Sequence, residues 1–147
     1  MSADILRAIV DANAYMTLAT ADAEGRPRVT TVWFAPVDYR EFLWVSDLGT
    51  THSRNIAVRP EVSIVIFDSR QPIGRGEGVY LDARAEFVAD AELDAALATF
   101  SQRTTAQGGR VWTRADVEAP ARRRLYRAVV SQHYVNDEHD RRRPVDL

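Results

Sequence analysis

The chain has 147 residues and a mass of 16.5 kDa, with 46% hydrophobic and 27% charged residues, a formal net charge of −2 and a pI of about 5.9. That is the size and composition of one globular domain; no apolar run approaches the ~18 residues that span a bilayer, and the small negative charge favours neither nucleic acid nor anionic lipid. Cysteine is absent, which excludes disulfides, thiolate metal sites and a cysteine nucleophile; all 19 basic residues are arginine, which excludes a lysine Schiff base, Walker lysine or lysine general base.

Residues 3–13, ADILRAIVDAN, read as an amphipathic helix with Ile5, Leu6, Ile9 and Val10 on one face and Ser2 as cap. Asp4 and Asp11 interrupt the apolar stretch and no basic start precedes it, so it does not read as a secretory signal. From Tyr15 the period shortens to two. YMTLAT and RVTTVWF are strands, and the DAEGRP turn between them makes an antiparallel hairpin. EFLWVS is a third strand. DLGTT breaks it, and HSRNIAV is a short helix ended by Arg59-Pro60. EVSIVIFD reads as a strongly apolar strand buried on both faces or nearly so, and 69–78 as a loop. GVYLDARAEFV is a long strand with Val79, Leu81, Ala83, Ala85 and Phe87 on one side. Asp90 to Phe100 is a helix capped by Asp90, with Leu93, Leu97 and Phe100 inward. Residues 101–120 show no clear period, Arg124 to Val135 is a last strand, and 136–147 is a charged tail. Six strands with a few short helices predict a mainly β, antiparallel domain spanning 1–147, closed or partly closed into a barrel, with the helices at 3–13 and 90–100 over its openings.

The usual catalytic sets are missing. His52, His133 and His139 have no metal-ligand spacing, and no G-x-S-x-G elbow occurs. Gly74-Arg75-Gly76-Glu77-Gly78 has neither phosphate-loop spacing nor a following helix, and reads as a strand connection. The arginines at 122–124 and 141–143 lie among acids and read as a solvated strand end and tail. The informative stretch is 29–56. A strand ending Trp44-Val45-Ser46 is followed by Gly49-Thr50-Thr51-His52-Ser53-Arg54-Asn55 and a helix start. Amides, hydroxyls and a basic side chain in that order make either an anion site or an ordinary helix cap.

The run YMTLATADAEGRPRVTTVWFAPVDYREFLWVSDLGTTHSRNIAVRPEVSIVIFD resembles the pyridoxamine 5′-phosphate oxidase-like family of flavin-binding split β-barrels. The likeness lies in the LAT…G.P hairpin, the strand after it, the hydroxyl-bearing segment leading into a helix, and the P.VS strand. GVYLDARAEFV and RLYRAVVSQHYV are similar to the family's next and closing strands. The resemblance implies a six-stranded antiparallel split barrel and a homodimer with FMN at the subunit interface. By the same resemblance Thr30, Thr31, Val32 and Trp33 lie along the flavin ring, and Ser46, Thr50 and Thr51 toward the ribityl chain and phosphate. His52 stands where the family carries a phosphate-binding lysine, Arg54 is its reserve cation, and Asn55 matches the family's polar residue three positions on. A histidine there implies a weaker, pH-dependent phosphate contact.

Two further departures argue against pyridoxamine phosphate as substrate. Gly76-Glu77-Gly78-Val79 replaces an arginine-rich stretch, and the family's C-terminal substrate segments have no clear counterpart, Arg141–Arg143 being a poor substitute. The implied function is a cytoplasmic FMN-dependent oxidoreductase acting on a small substrate, with NAD(P)H or another electron donor. The alternatives are an F420-dependent reductase, or a non-catalytic flavin- or haem-binding stress or sensor protein. Nucleic acid, membrane and metal are not expected.

Overall fold

A computed structural model describes residues 2–147. In chain order the elements are α1 (Ser2–Ala12), β1 (Tyr15–Ala21), β2 (Pro27–Trp33), β3 (Ala35–Val37), β4 (Glu41–Asp47), α2 (Thr51–Val58), β5 (Glu61–Phe67), β6 (Gly78–Phe87), α3 (Asp90–Ala106), α4 (Arg114–Val117), β7 (Arg123–Asn136) and β8 (Arg142–Val145). The strands form one antiparallel sheet in the order β2-β1-β5-β6-β7-β4-β3, with β8 added to β7. β2 and β3 occupy opposite ends of that order, yet only Phe34 separates them in the chain. A flat sheet cannot satisfy this connection; the sheet must curl until its two ends approach. The barrel character therefore follows from the strand order itself, helped by the ordinary twist of strands.

The six long strands are those the alternation of apolar residues predicts. The inner faces of β1, β4, β5 and β6 contribute Met16 and Leu18, Phe42 and Trp44, Val62, Ile64 and Ile66, and Val79 and Leu81. Leu6, Ile9 and Val10 of α1 join this same cluster, so α1 closes over the barrel interior. Burial of these side chains, at roughly 25 cal/mol per Å² of apolar surface, is the main force behind the closure.

The other apolar stripe of the closing strands builds a second core. Leu43 and Leu125 point away from the interior and meet Leu93, Leu97 and Phe100 of α3. The helix after β6 therefore packs on the outside of β3, β4 and β7 and does not cover an opening.

Four further details differ from the sequence reading. β5 is buried toward the interior only: Val62, Ile64 and Ile66 are buried, while Glu61, Ser63 and Phe67 are exposed. Ala89, not Asp90, is the N-cap of α3 and, being alanine, makes no side-chain bond; the Asp90 carboxylate pairs with Arg114 at 2.8 Å. The stretch 101–120 extends α3 to Ala106 and adds α4, whose start Thr113 and Asp116 cap reciprocally. The charged tail contains β8, tethered by Asp137, whose carboxylate accepts from the amides of His139 and Arg141 and from Arg143 Nε.

Candidate functional site

α2 begins where β4 ends, and its first turn is organised by one hydroxyl. Thr50 is the N-cap; its Oγ1 accepts from the Ser53 amide at 3.2 Å. The amides of Thr51 and His52, in the first turn, have no carbonyl four residues back within the helix, as at any helix start. Gly49 is set by the Asp47 carboxylate, which accepts its amide at 2.6 Å and lies 3.4 Å from Arg122. These contacts hold the Asp47 carboxyl below the usual carboxylate range, the amide of Gly49 being the largest cause.

The start of α2 faces the hairpin β1–β2 across a pocket of about 380 Å³, lined by Thr20, Arg28, Val29, Thr30, Thr50, Thr51 and His52. The pleat explains this set. Arg28 and Thr30 share one face of β2, and Thr20 stands opposite Arg28 in the ladder. Four threonine hydroxyls and one guanidinium thus converge with a helix N-terminus. Among the described residues no carboxylate pairs with Arg28; its Nη1 donates to the Pro27 carbonyl at 3.0 Å. A cation without a counter-charge, beside hydroxyls and a helix N-terminus, is suited to an anion such as a phosphate group.

The structure brings Thr30, Thr50, Thr51 and His52 together in this pocket and distributes the other predicted residues around it. Val32 is buried in the barrel core. Thr31 and Trp33 lie on the opposite face of β2 from Thr30; Trp33 stacks on Tyr15 with ring centroids 6.5 Å apart, and its Nε1 donates to the Gln107 side chain. Side chains alternate between the faces of a strand, so these four residues meet one ligand together only through backbone groups. β2 ends the strand order, however, so its backbone groups that point away from β1 have no ladder partner. Asn55 is buried and donates from Nδ2 to Thr20 Oγ1 at 3.1 Å, tying α2 to β1. Arg54 is exposed, with Nη1 donating to the Gly49 carbonyl at 2.6 Å, and is not among the lining residues.

Ser46 and His52 form a pair behind the pocket. Ser46 is buried, and its Oγ lies 2.7 Å from His52 Nε2; Thr50 Oγ1 is more distant, at 3.3 Å. Burial pushes the His52 imidazole below its ordinary value of 6.5, and no neighbouring charge opposes that shift. In the ligand-free pocket burial thus disfavours the charged imidazole, and the guanidinium among the lining residues is that of Arg28. Arg28, Thr20 and Val29 were not among the predicted site residues. The period of β2, which places Arg28 beside Thr30, was the available signal.

Residues 3–136 match the family model described as pyridoxamine 5′-phosphate oxidase. The chain belongs to that family. No curated protein matches it. Among solved structures, this pyridoxamine 5′-phosphate oxidase family member is similar to a heme binding protein from Mycobacterium smegmatis, with a TM-score of 0.79 at 21% identity over 99% of this chain and 57% of that one. It is similar to HutZ, the heme storage protein from Vibrio cholerae, with a TM-score of 0.71 at 23% identity over 90% and 92%. It is also similar to a FAD-binding protein from Mesorhizobium loti, with a TM-score of 0.69 at 20% identity over 92% and 94%. The chain thus spans a little over half of the Mycobacterium protein. At these identities the likenesses establish the shared fold. No helix among the described residues of this family member is long and apolar enough to cross a membrane.

Proposed function

We propose that this family member is an FMN-dependent oxidoreductase of a small substrate, holding the flavin phosphate in the pocket between β1, β2 and the start of α2. The observation that carries the reading is Arg28, a guanidinium without a carboxylate partner among the described residues, set among Thr20, Thr30, Thr50 and Thr51. When bound, the flavin supplies the two-electron chemistry; the chain supplies binding, orientation and electrostatics. Arg28 matches the phosphate charge, the hydroxyls of Thr20, Thr30 and Thr51 and the first-turn amides of α2 fix its oxygens, and the free edge of β2 offers backbone groups to the ring.

The reading includes a homodimer. Across β2, β1 and β5 the outer face carries Thr31, Thr17 and Val65 in one row, flanked by Val29, Ala19 and Ser63 and by Trp33, Tyr15 and Phe67. None of these nine is charged, and Tyr15, Val29 and Phe67 are exposed apolar side chains. An uncharged sheet face ending in an open edge needs cover, and a second copy supplies it.

The solved relatives named for haem make haem the competing ligand. Haem needs an axial ligand, commonly a histidine. Nε2 of His52 is engaged by Ser46, and Nε2 of His133 lies 2.6 Å from the Tyr39 carbonyl, whereas His139 sits on the β7–β8 turn beside Glu138 at 3.6 Å. That distribution favours flavin. The deciding measurement is to denature the purified protein, identify released cofactor by absorbance and mass, and titrate the apoprotein with FMN, FAD, F420 and haem. FMN should bind tightest, and NADH or NADPH should bleach the bound flavin. Tighter binding of haem or F420, or a bound flavin that no nicotinamide reduces, sets this reading aside.

A further inference from the structure

The pair Ser46–His52 leaves few ways to place its hydrogens. Ser46 is buried on the inner face of β4, and the ring of His52 is the hydrogen-bond partner of its hydroxyl, at 2.7 Å to Nε2. A buried hydroxyl hydrogen requires an acceptor. If Nε2 carried a proton, Ser46 would have to accept it and leave its own hydrogen unplaced. Thr50 does not relieve this, since its Oγ1 already accepts from the Ser53 amide and bonds the Asp47 carbonyl at 3.0 Å and Ser53 Oγ at 2.8 Å. The consistent arrangement has Ser46 donating to Nε2 and the proton of the neutral ring on Nδ1.

From this geometry we infer that Ser46 is a positioning residue: it holds His52 as the neutral Nδ1–H form, so that the pocket presents a fixed, uncharged donor to the ligand beside the charge of Arg28. The inference deepens the phosphate-site reading and rests on it for the identity of the ligand, though not for the state of the ring. The groups around His52 agree with it. β2 brings Arg28, a cation and not a counter-charge. β4 brings Asp47, already committed to the Gly49 amide and to Arg122. β7 brings Arg124, opposite Ser46 in the ladder, and Tyr126, which bonds Ser53. β1 brings only the hydroxyl of Thr20, and α2 itself only Arg54. Among the described residues no carboxylate is free to stabilise an imidazolium. Phosphate recognition is then insensitive to histidine protonation above the phosphate's own second pKa of about 6.

The test has two independent readouts. In the ligand-free protein, nitrogen-resolved NMR of His52 should show the Nδ1–H tautomer and a midpoint below 6.5. Ser46→Ala should raise that midpoint and mix the tautomers, and Ser46→Thr, which restores a hydroxyl, should return both. An Nε2–H tautomer in the wild type, or a midpoint at or above 6.5, overturns the inference without needing any ligand. FMN affinity is the second readout. From pH 6.5 to 8.5 the wild type should be flat, whereas Ser46→Ala should bind about fivefold tighter at pH 6.5 than at 8.5 as the freed ring gains charge. A wild-type affinity that falls as the pH rises through this range also overturns it. Absence of FMN binding with the Nδ1–H tautomer intact rejects the flavin reading and leaves the role of Ser46 standing.

Discussion

At the residue scale, Arg28 combines two features: it lines the pocket, and no carboxylate among the described residues pairs with it. Most arginines here are committed: Arg127 to Glu86 and Glu92, Arg114 to Asp90 and Asp94, Arg103 to the carbonyls of Val10 and Asn13 at the end of α1. Arg28 bonds only the carbonyl of its neighbour Pro27, has no carboxylate partner among the described residues, and lines the pocket. Arg28→Met should weaken FMN by about 1.5–3 kcal/mol, the range for a hydrogen bond to a charged group, and leave riboflavin, which has no phosphate, nearly unaffected. Arg54→Ala should change FMN affinity little, since that side chain bonds the Gly49 carbonyl outside the pocket; paired titrations of FMN and riboflavin check both. His52 carries a stability consequence as well. Its folded pKa lies below the unfolded value of 6.5, so between the two the unfolded chain binds the extra proton. Stability is then complete above pH 6.5 and declines as the pH drops toward the folded value. Urea midpoints at pH 7.5 and 5.5 should show a larger loss for the wild type than for His52→Gln.

At the scale of elements, the long strands were readable because each alternates over seven or more residues, and α2 because Thr50 and Arg59-Pro60 bracket it. β3 was not, since three residues directly after β2 carry no period of their own, and β8 was not, since its sequence is Arg-Arg-Pro-Val and its place depends on Asp137. The end of α3 was hidden for a related reason: its turn is specified by contact with a residue more than seventy positions earlier. Gly108 has φ of +87°, where glycine is favoured, and a Cβ on Gly109 would lie 2.3 Å from the Trp33 ring and 3.0 Å from the Thr104 carbonyl. Gly109→Ala must therefore displace either the ring or the turn. A cost of about 1–3 kcal/mol is expected, as for overpacking, together with a shift in tryptophan emission. Denaturation followed by fluorescence and by circular dichroism measures the two effects separately. The candidate site was readable to the same extent. The local segment Thr50–His52 was visible as a helix start, whereas Arg28 joins it only through the ladder that sets Thr20 opposite Arg28, a contact between strands.

At the scale of the whole molecule, the connection through Phe34 brings the two ends of the strand order toward each other, but it does not cover the outer face of β2, β1 and β5. Thr17 is the centre of that face, opposite Thr31 on one side and Val65 on the other. In a monomer the half-buried position 17 still faces solvent on the outer surface, where a long arginine side chain can extend into water, and its cost to folding should be within about 0.5 kcal/mol. In a dimer packed through this face the same guanidinium would be buried among threonine, valine and aromatic side chains without a partner carboxylate, which is costly. The two cases separate cleanly in solution. Light scattering at micromolar concentration should give a dimer for the wild type and a monomer for Thr17→Arg, with unchanged circular dichroism. FMN affinity should fall along with the dimer, because the pocket mouth borders Val29, which lies in the same face. A Thr17→Arg protein that remains dimeric would place the interface elsewhere, and a monomeric wild type that binds FMN tightly would show that one chain suffices for the site.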